Sequence, residues 1–428
     1  MLDITMEVLQ RLLAQLGEVS TTEFCNKYGL PIEEFVEDGK LSVDSYRKII
    51  SIMLEEEHKN IINFTSSFEE VIANDYYHPS KIVKHLDKLL EYQDNPITTG
   101  PIDIEIYLTN YCNHSCKYCL YDSPLVNSEG RINFDINLLD DLIKSMKKLK
   151  VRGVFISGGG EPTLHPNINE IIDTISKNGI SVGLTTNGYS LDERLRKTIL
   201  DNCTFCRISV NGGTQEAYAT WHGIHVKLNK VIENIKLIAS EKNKYGSNTT
   251  IGISHLFTPD AFIDVPYAIN EFNGIKGINY FILKPTISIY DNSLDRNIIW
   301  WETKIFDMMS SLKEYETSFN LFLPEYKFTE YKIPFKKCLG HFMYPTIKFN
   351  GEVAICGGKT LDKPIFKDCI YGTLSKEKSL YEIWTDPNRV KIGENVNLQY
   401  CENCKINQTN KWLEWYNDLE IKHFNFLN

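Results

Sequence analysis

Cys112-Asn113-His114-Ser115-Cys116-Lys117-Tyr118-Cys119 decides how the rest of this 428-residue chain is read. Three cysteines fall within eight residues, spaced C-x3-C-x2-C, directly after a β-like run from Ile102 to Leu108. Thiolates are soft ligands suited to iron–sulfur clusters. A cubane has four irons, so three cysteines leave one iron open to another ligand. Asn113 and Ser115 are small polar residues that suit a tight loop whose backbone wraps such a group. A zinc knuckle, or three unrelated core cysteines, are the alternatives that the octapeptide leaves open.

This spacing, with an aromatic residue (Tyr118) before the last cysteine, resembles the signature of the radical S-adenosylmethionine (SAM) enzymes. The resemblance implies that Cys112, Cys116 and Cys119 hold a 4Fe–4S cluster whose free iron chelates the amino and carboxylate groups of SAM. It also implies an α/β fold, the partial (β/α)6 radical SAM barrel. From residue 101 the pattern does alternate strand and helix. Strands are expected near 102–109, 152–157, 180–186, 204–210, 249–257 and 277–284. Helices are expected near 136–149, 166–178, 191–201, 226–243 and 261–272, with one more near 300–316. Active sites of parallel barrels lie at the C-terminal ends of the strands, and the informative residues fall there.

The second strand runs into Ser157-Gly158-Gly159-Gly160-Glu161-Pro162, where glycines let backbone lie close to a ligand. The run resembles the family's GGE motif, which implies that Gly158, Gly159, Gly160 and Glu161 contact SAM, with Glu161 bracing the loop. Thr185-Thr186-Asn187-Gly188 follows the third strand and resembles the family's TNG, although Asn-Gly is also an ordinary turn. By the same resemblance Tyr118, Asn187, Arg207, Ser209 and Asn211 are cofactor contacts. Tyr218-Ala219-Thr220-Trp221-His222-Gly223 reads as packing and substrate-loop structure. Lys284, at the end of the sixth strand, is a candidate for binding a carboxylate at the barrel mouth. Cys203 and Cys206 begin the fourth strand; they are buried structural thiols or, if they face the mouth, catalytic hydrogen-atom donors.

Eleven cysteines in a chain whose first fifteen residues read as an amphipathic helix, not an export signal, point to metal in a reducing cytoplasm. No run of apolar residues is long enough to span a bilayer. The net charge is −10, and residues 1–98 carry 18 Asp/Glu against 9 Lys/Arg, which leaves the rest near neutral. That distribution argues against a nucleic-acid partner and is compatible with a cationic substrate. Residues 1–98 read as an all-helical accessory domain: Leu2 to Leu16, a short helix ended by Gly29, another opened by Ser42, a segment with Phe68, Val71 and Ile72 capped by Ser66 or Ser67, and a final helix begun by Pro79, Ile82 to Tyr92.

Cys338, Cys356, Cys401 and Cys404 form a second set. Pro345 to Val353 reads as a hairpin with a two-residue Asn350-Gly351 turn, and Cys401-x2-Cys404 opens a terminal helix. Taken alone, the set suits a zinc ribbon equally well. Behind a radical SAM barrel it resembles the twitch domain, a shortened SPASM domain, which implies an auxiliary 4Fe–4S cluster ligated by all four thiolates. The expected organisation is therefore 1–98 helical, 99–320 barrel and 321–428 twitch.

The resemblance implies reductive cleavage of SAM to a 5′-deoxyadenosyl radical, hydrogen abstraction from a polar natural-product substrate, and an external one-electron donor such as flavodoxin or ferredoxin. With a second cluster as electron acceptor, dehydrogenation of an aminosugar or aminocyclitol is the favoured outcome. Epimerisation or elimination on a sugar, and maturation of a ribosomal peptide, are alternatives, as is a zinc protein without enzymatic activity.

Overall fold

The computed structural model describes residues 79–117, 119–121, 123–125, 129–257, 264–285, 316–322, 335–360, 364–398, 401, 404 and 406–418, with the short segments 36–37 and 40–41. The chain divides into two compact units. One comprises Met1–His78, Ser293–Glu314 and Glu325–Thr329; the other comprises Pro79–Asn292, Tyr315–Pro324 and Glu330–Asn428. Of the first, the description covers one antiparallel pair, Val36–Glu37 with Lys40–Leu41. This pair lies between the helix expected to end at Gly29 and the one expected to open at Ser42. Those helices fall outside the described residues, as do Tyr118, Cys25, the helix expected near 300–316 and the loop 286–298.

The second unit opens with a 3-10 turn, Pro79–His85, and helix α1, Leu86–Asp94. Six parallel strands follow: β1 Asp103–Tyr107, β2 Gly153–Ser157, β3 Ser181–Thr186, β4 Cys203–Ser209, β5 Thr250–Phe257 and β6 Tyr280–Pro285. Between them run α2 Leu139–Lys148, α3 Ile168–Lys177, α4 Glu193–Asn202, α5 Gln215–His222, α6 Leu228–Tyr245 and α7 Val265–Phe272. The helices bury one face each. In α3, Ile168, Ile171, Ile172 and Ile175 share a stripe at helical spacing and are at most 4% exposed. Each such isoleucine contributes about 1.5–3 kcal/mol relative to exposure. Starts and stops follow local chemistry. Asp192 caps α4 through the Leu195 N–H at 2.8 Å, and Gly246 ends α6 in the left-handed region.

The sheet is wider than six strands. A seventh parallel strand, β7 Asn320–Phe322, joins β6. On the opposite edge the C-terminal hairpin, β8 Thr346–Ile347 and β9 Glu352–Ala354, attaches to the barrel, with β8 parallel to β1 and β10 Ile370–Thr373 outermost. The hairpin turn differs from the expected one. Lys348 N–H donates to Glu352 O at 2.8 Å, leaving Phe349, Asn350 and Gly351 as a three-residue loop with Gly351 at φ +84°. A left-handed third residue is the alternative that Asn-Gly permits when the flanking pair closes one residue wider.

Past β10 come α8 Leu380–Trp384, α9 Pro387–Glu394 and α10 Asn407–Asp418. Trp384 and Arg389 fasten this end to the segment ahead of β1. Trp384 Nε1 donates to Thr99 O at 2.8 Å, and the Arg389 guanidinium donates to the Trp384 and Pro96 carbonyls. Among the described residues no helix is long and apolar enough to cross a membrane.

Candidate active site

The cluster-type loop leaves β1 and is held mainly by backbone bonds. Cys112 N–H donates to Pro124 O at 3.0 Å, Ser115 N–H to His222 O at 3.1 Å and Lys117 N–H to Trp221 O at 3.0 Å. The last two acceptors are carbonyls at the C-terminus of α5, which have no partner inside their own helix. The Tyr218–Gly223 segment therefore braces the cysteine loop, a role its sequence did not disclose. Gly223 sits so close that a Cβ there would lie 2.5 Å from Ser115 Oγ.

Cys112 and Cys116 both feel their neighbours. Cys116 is pushed well up, first by burial and then by the nearness of Cys112, Cys119 and Glu161. Cys112 is pushed up to about 12 by burial and then by Glu161. Thiols this reluctant to ionise become thiolates when a metal centre supplies positive charge. Donors already face Cys112 Sγ: the His114 N–H at 3.4 Å and Asn187 Nδ2 at 3.8 Å. Asn187 Nδ2 also donates to Asn113 Oδ1 at 2.6 Å, so the turn after β3 is tied to the cysteine loop.

The glycine run after β2 lies beneath that loop. A Cβ on Gly160 would meet Tyr111 O at 2.1 Å and Tyr111 N at 2.6 Å, so only glycine fits. Gly159 is at φ +125°, and its carbonyl accepts from Ser123 Oγ. Gly158 is less constrained, its nearest neighbours lying 3.7 Å from a Cβ. The Glu161 carboxylate is 3% exposed and taken up internally. It accepts from Thr163 N at 3.1 Å, Thr163 Oγ1 at 2.7 Å, Thr186 Oγ1 at 2.5 Å and Asn187 N at 2.7 Å. Burial lifts its carboxyl above the ordinary range while these bonds pull it back.

Strand register sorts the remaining candidates by face. The Arg207 guanidinium lies over the Phe155 and Phe205 rings at 5.5 and 5.7 Å, so these three share the inner face. Ser209 continues that face two residues on, and through its pairing with Ser254, Lys284 lies two residues beyond Ser254's partner Ile282 on the same face. Asn211 is engaged twice: its Oδ1 accepts from Leu256 N at 2.8 Å and its N–H donates to His222 Nε2 at 2.9 Å. Cys206 pairs with Leu184 and Ile251 on the other face, which packs the helices, as the Phe272 ring of α7 shows by lying 6.2 Å from Phe281. Cys203 sits buried at the start of β4, the end away from the cysteine loop. The structure brings neither to the mouth: Cys203 lies at the far end of its strand, and Cys206 faces away because residues alternate faces and the inner set here is Phe205, Arg207 and Ser209.

The C-terminal cysteines also converge. Cys356 is pushed well up by burial and then by Cys404, Cys338 and Cys401 in turn. Asn410 of α10 donates from Nδ2 to Cys338 Sγ at 3.6 Å and accepts the Leu339 N–H at 2.8 Å. Cys401 and Cys404 are linked by the Cys404 N–H to Cys401 O bond, 3.3 Å. Cys369 lies near the set, pushed up by burial and influenced by Lys359 and Cys401. The loop after Cys356 abuts β1: a Cβ on Gly357 would lie 2.7 Å from Glu105 Oε2 and 2.8 Å from the Tyr107 hydroxyl. Tyr107 in turn bonds the hydroxyl of Tyr121, two residues past Cys119, at 2.7 Å.

Residues 106–260, which span both the cysteine loop and the glycine run, match the radical SAM superfamily. The chain carries a radical SAM domain. The tungsten-containing aldehyde ferredoxin oxidoreductase cofactor-modifying protein of Pyrococcus furiosus is 23% identical to it over 328 residues, 70% of this chain and 86% of that one. A probable GTP 3′,8-cyclase of Pyrococcus horikoshii is 30% identical over 151 residues, 35% of this chain and 45% of the cyclase. Among solved structures, Streptococcus suis SuiB bound to its precursor peptide SuiA superposes with a TM-score of 0.53 at 15% identity, covering 82% of this chain and 80% of SuiB. At that identity the likeness is one of fold, and the fold is the mixed α/β radical SAM architecture with a central parallel sheet.

Proposed function

We propose that this radical SAM enzyme holds a 4Fe–4S cluster on Cys112, Cys116 and Cys119 and a second on Cys338, Cys356, Cys401 and Cys404, and that it oxidises a polar substrate. The observation that carries the reading is the convergence of all four C-terminal thiols around Cys356, beside the first barrel strand. A tetrahedral zinc site, with Zn–S near 2.3 Å, draws its sulfurs to within about 4 Å of one another. Four thiolates could take zinc in that way too; their place behind a radical SAM barrel is what favours an iron–sulfur cluster here.

A cluster held by Cys112, Cys116 and Cys119 would supply the electron for reductive SAM chemistry, and SAM bound beside it would supply the means of taking a hydrogen atom from carbon. The chain supplies the rest. Gly159 and Gly160 keep side chains out of the space under the cysteine loop, and Glu161 fixes the two turns that frame it. Asn187, Arg207, Ser209 and Asn211 are proposed SAM contacts, with Lys284 further along the inner face. With four cysteines to hold it, a second cluster would leave no iron for substrate to bind, which supports a role as electron acceptor in a dehydrogenation. Glu105, Tyr107, Ser157, Arg207 and Lys284 give the barrel interior a polar, hydrogen-bonding character that supports an aminosugar- or cyclitol-like substrate. The fold likeness to SuiB, solved with a precursor peptide, supports a peptide substrate as the second reading. A flavodoxin- or ferredoxin-type protein is proposed as the electron donor.

The test is iron and sulfide content after anaerobic reconstitution, beside a Cys112→Ala/Cys116→Ala/Cys119→Ala variant. About eight irons in the parent and about four in the variant, with SAM cleavage in the parent alone, is the expected result. About four in the parent and none in the variant removes the electron acceptor, and with it the dehydrogenation.

A further inference from the structure

His222 ends helix α5 at 2% exposure, with its Nδ1 lying 3.4 Å from Cys116 Sγ and 3.3 Å from His114 Nδ1. The ligand atoms of these three residues all lie within 4.8 Å of one another, the arrangement of a mononuclear metal site. The other ring nitrogen decides against that. His222 Nε2 accepts the Asn211 backbone N–H at 2.9 Å, and that N–H has no second tautomer. A proton on Nε2 would set donor against donor, so Nε2 keeps its lone pair and the single proton of the neutral ring sits on Nδ1. Nδ1 is therefore a donor, not a ligand, and it points at Cys116 Sγ and His114 Nδ1.

We infer that His222 is a positioning residue for the cluster, donating its Nδ1–H to the sulfur of Cys116 and thereby setting the reduction potential at which SAM can be cleaved. The inference rests on the reading of Cys112, Cys116 and Cys119 as cluster ligands. A donor hydrogen-bonded to a ligating thiolate withdraws charge from the cluster, and the reduced state, which carries more negative charge, benefits more. The geometry is built in: Asn211 fixes the tautomer, the carbonyls of His222 and Trp221 accept from Ser115 and Lys117, and Gly223 lets the helix end close on the loop. A single residue thus links the end of β4 to one sulfur of the loop.

Two substitutions separate the sulfur contact from the Asn211 contact. His222→Gln places an amide oxygen where Nε2 was and keeps the Asn211 bond without a donor at Nδ1. His222→Asn places an amide donor near Nδ1 and gives up the Asn211 bond. The measurement is an EPR-monitored redox titration of the reconstituted protein, following the signal that changes when SAM is added. His222→Gln is expected to move the midpoint to more negative potential by about tenfold in the one-electron equilibrium, 59 mV, while His222→Asn stays near the parent. Loss of loading in His222→Gln with normal loading and potential in His222→Asn supports the same conclusion. Equal potentials in all three, an equal shift in both variants, loss of loading in both, or loss in His222→Asn alone would overturn it, leaving His222 a structural brace. Failure of the underlying reading looks different: the SAM-responsive signal would then persist in the Cys112→Ala/Cys116→Ala/Cys119→Ala protein.

Discussion

The carboxylate of Glu161 accepts the backbone N–H of Asn187 at 2.7 Å, and this bond ties the glycine run after one strand to the turn after the next. The same carboxylate takes the Thr186 hydroxyl and both donors of Thr163. Four donors on one buried group make Glu161 the pin of these two loops. Its charge is directed inward, away from any ligand above the loop.

Glu161→Gln keeps the volume but turns an NH2 toward donors. The expected cost is about 2 kcal/mol of unfolding free energy, since a buried donor is left facing a donor. Urea denaturation reads this directly, and SAM affinity should fall in the same variant. A stability loss below a few tenths of a kcal/mol would mean that the pin is dispensable.

Gly158 and Gly160 stand two residues apart in one motif, yet they should respond oppositely to alanine. Gly160→Ala sets a methyl group 2.1 Å from Tyr111 O, so the glycine run and the cysteine loop must separate. Gly158→Ala meets only ordinary contacts at 3.7 Å. Reconstituted Gly160→Ala is expected to lose at least tenfold in SAM affinity, and Gly158→Ala less than threefold. Equilibrium dialysis with labelled SAM compares the two, and similar losses would refute the steric argument.

Arg389 is 1% exposed and serves the seam between the C-terminal segment and the approach to β1. Its Nε donates to Trp384 O at 2.7 Å, its guanidinium reaches Pro96 O, and its plane lies 4.3 Å from the centre of the Trp384 ring. Lysine retains the charge but cannot make the fork or the stacking contact. Arg389→Lys should therefore cost about 3 kcal/mol, the scale for breaking a buried charged arrangement. The check is a lowered urea midpoint at unchanged slope, with iron content per folded molecule retained.

How much of this was legible in sequence depended on the range of the interactions involved. The six barrel strands could be read because each is a short apolar run ending in glycine or polar residues, and those endings are the site. Cys206 could not be placed, because its face is set by register with Leu184 and Ile251, and a one-residue slip would have reversed it. The hairpin at Asn350-Gly351 was visible, but whether it closes over two residues or three is decided by the Lys348–Glu352 pair. Its docking beside β1 has no local signal at all. His222 was hidden for a similar reason: its segment, Tyr218 to Gly223, reads as packing and substrate-loop structure, and its partners Cys116 and Asn211 come from two other loops.

His255 gives a pH prediction with a definite sign. It is fully buried on the helix-packed face of β5, stacked on Phe281 at 5.7 Å, and burial depresses its pKa from 6.5 to about 4 against an opposing pull from Asp264. Between those values the unfolded chain holds a proton that the folded protein excludes, so stability rises with pH through this window. It is complete above 6.5, falls as the solution is acidified, and levels off near 4. The total is on the order of 3 kcal/mol from this residue. Other buried histidines contribute slopes of the same sign, so the discriminating quantity is the difference between the parent and His255→Phe, which keeps the stack on Phe281. That difference should be constant above pH 6.5 and move in favour of the variant on acidification. Stability curves that stay parallel from pH 7 to pH 4 would show that the imidazole is protonated, or hydrated, in the folded protein.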